Sequence, residues 1–240
     1  MLQAPLRAPV RGPALIRLLA RLTHADVPPP SAPLPDRLSQ WLDWTQAIAL
    51  STALDGRPAD ASGAPAFDTA EEEECARLRA SLAESALTAF AAAPEHGDRN
   101  PVDFAVFRQH YLTHQRRMQA ATGRLRGRLR DMLAQCSPAM ARLADVDAVM
   151  EQALSPREHA LLAAVPALLG EHFERLRQSQ DNASADASVD TGTPGAAHEA
   201  WLDTFRKDLQ GVLLAELELR FQPIEGLLAA LRTCQREPHA

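Results

Sequence analysis

His110 and His114 stand four residues apart, the spacing at which one helix face offers two imidazoles to a zinc ion. The position that carries the general-base glutamate of a His-Glu-x-x-His zinc site is Tyr111, and a third ligand would have to come from Glu171 or His172 on another helix. A metal-dependent enzyme using His110 and His114 is therefore an alternative reading, with ordinary helix packing the simpler account of both rings. Asp43 lies between Trp41 and Trp44, where burial would raise a carboxyl pKa as catalytic acids require. Helical rotation turns it away from Leu38 and Trp41, so it reads as an exposed acid meeting arginines. Cys136, at a helix end, is a candidate for a lowered thiol pKa, against the default of a small buried residue. There is no Gly-x-Ser-x-Gly turn to hold a nucleophile, and Gly192-Thr-Pro-Gly195 lacks the spacing and the following lysine of a phosphate loop. The reading names no catalytic residue, no cofactor and no metal ligand.

Arginines carry the next signal. Residues 101–142 hold eight Arg against Asp103 and Asp131, while 145–174 hold six acids against Arg157. Arg116, Arg117, Arg124, Arg126, Arg128 and Arg130 flank one apolar seam, so a nucleic-acid-binding protein using the Arg-rich helix 116–130 is a second alternative, with Arg124, Arg126 and Arg128 as its contacts. Against it stand the net charge of −6 and the lack of base-stacking aromatics beside those arginines. Ion pairs to Glu71–Glu74 or to the acids of 145–174 would absorb the charges without any ligand.

The elements that must position these groups are helices. Of 240 residues, 46% are hydrophobic but only 5% aromatic, and the apolar content is largely Ala and Leu, which lose little entropy in a helix. Leu15, Leu18, Leu19 and Leu22 make one stripe after Pro13, and a run rich in proline follows to Pro35. A single helix is expected from about Pro35 to Leu54, striped by Leu38, Trp41, Leu42, Thr45, Ile48 and Ala49. Asp68 with Glu71–Glu74 starts another. Asn100-Pro101 opens the longest helix, in which Phe104, Tyr111, Met118, Leu125 and Met132 recur every seven residues as a coiled-coil-like seam; Gly123 and Gly127 weaken it or permit a close crossing. Ser137-Pro138 and Ser155-Pro156 read as two more starts, with Pro166 a kink or boundary. The expectation is an all-α, elongated bundle of six to seven helices: an N-terminal arm over 1–35 with a disordered start, a bundle over 36–177, a flexible linker over 178–198, and a C-terminal helix over 199–234 packed on the bundle, bent at Pro223.

Cys75, Cys136 and Cys234 are isolated, which fits a reducing compartment and gives no disulfide framework. No segment reaches the roughly 20 apolar residues that span a bilayer. A cytoplasmic location is expected. Leu15, Leu18, Leu19 and Leu22, the indoles of Trp41 and Trp44, and the C-terminal helix are the surfaces assigned to a protein partner or a second copy in a homo-oligomer. With Arg17 and Arg21, the first stripe also suits peripheral contact with an anionic membrane.

Five stretches carry a resemblance: Arg17 to Leu22, Leu38 to Ser51, Tyr111 to Met118 with Pro138 to Leu143, Val165 to Leu176, and Trp201 to Leu231. Together they resemble a family of uncharacterised proteobacterial all-helical proteins of about this length. The resemblance brings no activity and no functional residues. It implies an environment, because members of that family are encoded beside membrane proteins resembling ion-driven motor subunits and beside cell-wall-binding envelope proteins. The reading is a non-enzymatic helical interaction or scaffold protein, an accessory component of a bacterial envelope complex.

Overall fold

In the computed structural model, residues 12–27, 32–56, 67–90, 103–186 and 194–236 are described. Among them are eight helices and no strand: α1 (Ala14–Thr23), α2 (Leu34–Trp41), α3 (Trp44–Asp55), α4 (Thr69–Thr88), α5 (Phe104–Cys136), α6 (Pro138–Ala163), α7 (Val165–Asp186) and α8 (Pro194–Arg236). Expectations for residues 1–11, for residues 28–31 of the proline-rich run and for the Asn100-Pro101 start lie outside the described residues.

Side-chain caps fix the starts of α3, α4, α5 and α6. Asp68 accepts from the Ala70 amide at 2.6 Å while Glu71 accepts from the Asp68 amide at 3.2 Å, a capping box at the expected start of α4. Ser137 accepts from Met140 at 3.3 Å ahead of Pro138. Asp103 caps α5 by accepting from Ala105 at 2.9 Å. Asp43 overturns the single helix from Pro35 to Leu54. It accepts from the Gln46 amide at 2.7 Å and Gln46 accepts from its own amide at 3.0 Å, so α2 ends and α3 begins there. A capping box next to a residue with extended backbone outweighed the continuous stripe.

Ser155-Pro156 fails in the opposite direction. Pro156 lies inside α6, and the break falls at Ala164, two residues before Pro166 in the first turn of α7. Contacts on both sides of Pro156 hold α6 together through it: Arg126 with Asp147 before it, and the Gln115 side chain donating to the Leu162 carbonyl at 3.1 Å after it. They offset the hydrogen bond that a mid-helix proline removes. The expected linker is likewise shortened. Residues 178–186 continue α7, because extending a formed helix gains one hydrogen bond per residue, and α8 begins at Pro194. What remains of the linker, 187–193, lies outside the described residues.

Four rods run up and down. Arg126–Asp147 and Gln115–Leu162 step backwards along α6 as they step forwards along α5, and Phe104 and Phe107 against Phe173 continue that antiparallel register into α7. His172–Asp208 and Phe173–Trp201 set α7 antiparallel to α8. Phe107–Phe205, then Tyr111–Glu216, set α8 parallel to α5. Helix α4 lies antiparallel to both, held by Arg128–Glu74 and Arg117–Ser85 on one side and Arg232–Glu72 on the other.

The C-terminal helix is not an addition to a finished bundle. Phe205, Leu209, Val212, Leu213, Leu217, Ile224 and Leu231 of α8 are all fully buried, and α1, α4, α5 and α7 pack around it, while α6 joins through α5. Rings of Phe104, Phe107, Phe173, Trp201 and Phe205 meet at one end with centroids 5.0–6.2 Å apart, mostly tilted or edge to face. The close approach expected at Gly123 or Gly127 occurs at Gly170 instead. A Cβ there would lie 3.0 Å from the Phe104 ring, whereas Gly123 has nothing within 4 Å.

Candidate functional site

The two histidines of α5 do not build a metal centre with the others. His110 and His114 ring Phe90 with centroids 6.3 and 6.4 Å away, while His172 pairs with Asp208 at 2.9 Å and Glu171 is exposed. Among the described residues no three His, Cys, Asp or Glu gather to hold a metal. Burial, then Arg117 and His110, lowers the His114 pKa below its ordinary value.

Nor do Arg124, Arg126 and Arg128 form one basic face. Arg126 is half-buried and grips Asp147 in a fork, at 2.9 and 2.6 Å, with Arg130 on Asp147 and Glu151 beside it. Burial opposes the Arg126 charge, and the bond and charge of Asp147 with that of Glu151 outweigh it. Arg128 donates to Glu74 at 2.8 Å and by that bond holds the Glu74 carboxyl below its usual range. Arg124 is exposed. Arg126, Arg128 and Arg130 therefore join α5 to α4 and α6, because each of the three faces an acid across a helix interface.

The Leu15, Leu18, Leu19 and Leu22 stripe, assigned to a partner, is occupied within the chain. Leu15 and Leu22 are buried and Leu18 and Leu19 half-buried against the core, with Leu18 approaching Gly211 of α8. A left-handed His24 ends α1, and Arg175 of α7 donates to the Leu22 carbonyl. An amphipathic stripe reads alike whether its acceptor is another chain or the chain's own last helix, and here it is the last helix.

Cys136 is corrected too. Burial, then the neighbouring Cys234 thiol, pushes its pKa up to about 12.

The surface that stays open is built by α2 and α3. Helix α3 is largely apolar yet has no buried residue, and Trp44, Ile48 and Leu54 are 79%, 51% and 56% exposed. At its base, Trp41 of α2 borders a cleft of about 600 Å³ between α2, α5, α6 and α8, whose walls include Gly123, Arg126, Glu158, Leu161 and Pro223. Arg37 and Arg157 stack on the Trp41 ring at 4.9 and 5.0 Å. Among the described residues neither guanidinium has a carboxylate partner.

Behind the cleft lies a group the sequence reading missed. Glu216 is 0% exposed and the Arg220 side chain 8%. Arg220 donates to one Glu216 oxygen at 2.9 and 2.7 Å, while Tyr111 at 2.7 Å and Gln115 at 3.2 Å donate to the other. The remaining Arg220 nitrogen reaches Glu158 at the cleft wall, 3.3 Å away. Burial, then the adjacent Glu216 charge, raises the Tyr111 pKa far above its ordinary value. A signal existed: Glu216 continues Leu202 and Leu209 at seven-residue steps, an acid on an apolar line with an arginine four residues on.

No described helix is long and apolar enough to cross a membrane. Compared with known proteins, residues 1–233 match the family model described as Protein of unknown function (DUF3348). No curated protein and no solved structure matches.

Proposed function

As the chain belongs to that family of unknown function, we propose its role from its own surfaces: a non-enzymatic helical interaction protein that presents the α2–α3 face and the Trp41 cleft to a protein partner. The observation that carries this is α3, an apolar helix with no buried residue and with Trp44 79% exposed. Helix α3 packs on α6 yet leaves these large side chains in water, and a cluster of exposed apolar side chains beside a cleft is what partner surfaces offer. Arg37 and Arg157, stacked on Trp41 and lacking carboxylates among the described residues, define the partner's chemistry as an apolar segment flanked by acids. The resemblance to proteins encoded beside envelope components makes a cytoplasmic segment of an envelope-complex subunit the expected source.

The test is a paired purification of tagged wild-type and Trp44→Ser/Ile48→Ser protein from the native host, followed by mass spectrometry. A partner kept by the wild type, lost by the variant, and weakened in Arg37→Gln/Arg157→Gln or at high salt supports the reading. The same recovered proteins in all three refute it. Trp44 and Ile48 are exposed, so these variants leave the core intact.

A further inference from the structure

We propose that Cys136 and Cys234 are a site of reversible oxidative modification, a disulfide that staples the C-terminal ends of α5 and α8. The register of the two helices carries this. They run parallel, with Phe107 beside Phe205 and Gln115 beside Glu216; continuing the same offset to the ends brings Cys136, the last residue of α5, opposite Cys234, two residues before the end of α8. The side chains of the two cysteines interact with each other there. Leu133 and Leu231, one turn before them, are fully buried and fix both helix ends against the core. Both thiols are free and half-buried, so a small oxidant reaches them, whereas Cys75 is buried in the core.

With a peroxide as oxidant, the Cys234 sulfur attacks one peroxide oxygen, the O–O bond breaks and hydroxide leaves, giving a sulfenic acid. The Cys136 sulfur then attacks the Cys234 sulfur; the S–S bond forms, the S–O bond breaks, and water departs with the Cys136 proton. Two thiols and one peroxide yield one disulfide and two waters, with sulfur oxidised by two electrons and the peroxide reduced by two. The balance is the same if the two sulfurs exchange roles.

The bond would close a loop of about 100 residues, which in the chain-entropy model raises Tm by roughly 10 °C. The full-length protein is treated with stoichiometric hydrogen peroxide, then alkylated under denaturing conditions and analysed by intact and peptide mass. The expected result is a loss of two hydrogens, one alkylated cysteine (Cys75), a Cys136–Cys234 cross-linked peptide, a raised Tm, and full reversal by dithiothreitol. Cys75→Ser keeps this behaviour, and Cys136→Ser and Cys234→Ser lose it. Three alkylatable thiols after peroxide, a bridge through Cys75, a bridge between chains, or sulfinic acid without a bridge would overturn the assignment, and wild-type mass alone distinguishes them.

Discussion

Replacing Arg220 by methionine should destabilise the protein by about 3–5 kcal/mol, although the substitution keeps the length of the side chain and suits a helix. The magnitude follows from what stays behind. Glu216 is 0% exposed and would keep only the Tyr111 hydroxyl at 2.7 Å and the Gln115 amide at 3.2 Å, with no cation beside it. A buried carboxylate without its counter-charge carries a desolvation cost that two neutral donors do not offset. Arg128→Met is the control, since it removes an arginine–glutamate pair of similar distance whose partners are 44% and 49% exposed, and it should cost less than about 1 kcal/mol. Urea unfolding followed by helical circular dichroism gives both values, provided the slopes stay equal. Adding Glu216→Gln to Arg220→Met should recover at least about 1 kcal/mol, because a neutral amide still accepts from Tyr111. The reasoning fails if Arg220→Met falls within about 1 kcal/mol of Arg128→Met, or if the two changes simply add.

Other outcomes test other parts of the fold. Leu15→Ala and Leu22→Ala should each cost about 2–5 kcal/mol in the same assay, the loss expected of a core leucine; values near zero would return α1 to the surface. Gly226→Ala should stabilise by about 0.5–1 kcal/mol because nothing lies within 4 Å of the new methyl. Gly170→Ala should instead destabilise by about 1–3 kcal/mol, since its methyl meets the packed Phe104 ring at 3.0 Å. Tyr111 and Cys75 have folded pKa values raised by burial, so they contribute stability fully present below their unfolded values of 10.0 and 9.0 and lost as pH rises beyond them. Tm should thus fall from pH 9 to 11, and Tyr111→Phe should flatten that fall. His114 has a lowered folded pKa, so its contribution is full above the unfolded value of 6.5 and is lost as pH drops below it, a slope that His114→Asn should reduce.

The helical class, the α4 start at Asp68 and the seam of α5 are local signals, and each was legible because cap chemistry or a seven-residue step decides it. Where two local signals competed, tertiary contacts chose between them. Pro156 sits inside a helix because α5 grips α6 on both sides of it, whereas Asp43 splits a good apolar stripe whose residues are at most half-buried. The candidate site was half legible. Trp41 and Trp44 stood out by type, but the Leu15–Leu22 stripe gives the same pattern for any acceptor, and only the fold identifies that acceptor as α8. Arg126 and Arg128 read as an anion surface until the positions of Asp147 and Glu74 are known. Glu216 was missed because a charged residue on an apolar line looks the same in sequence whether it interrupts the stripe or is buried beside Arg220.

The central place of α8 bears on how the chain is made. Helices α4, α5 and α7, and α1 from the opposite end of the sequence, pack against a helix that follows all of them in chain order. During synthesis α5 can pair with α6 as soon as both have emerged, but the faces of α1, α4, α5 and α7 that meet α8 stay uncovered until residues 194–236 have left the ribosome. Contacts such as Leu18 with Gly211 then close across most of the sequence only after α8 has emerged, a sequence separation that slows folding for a helical protein.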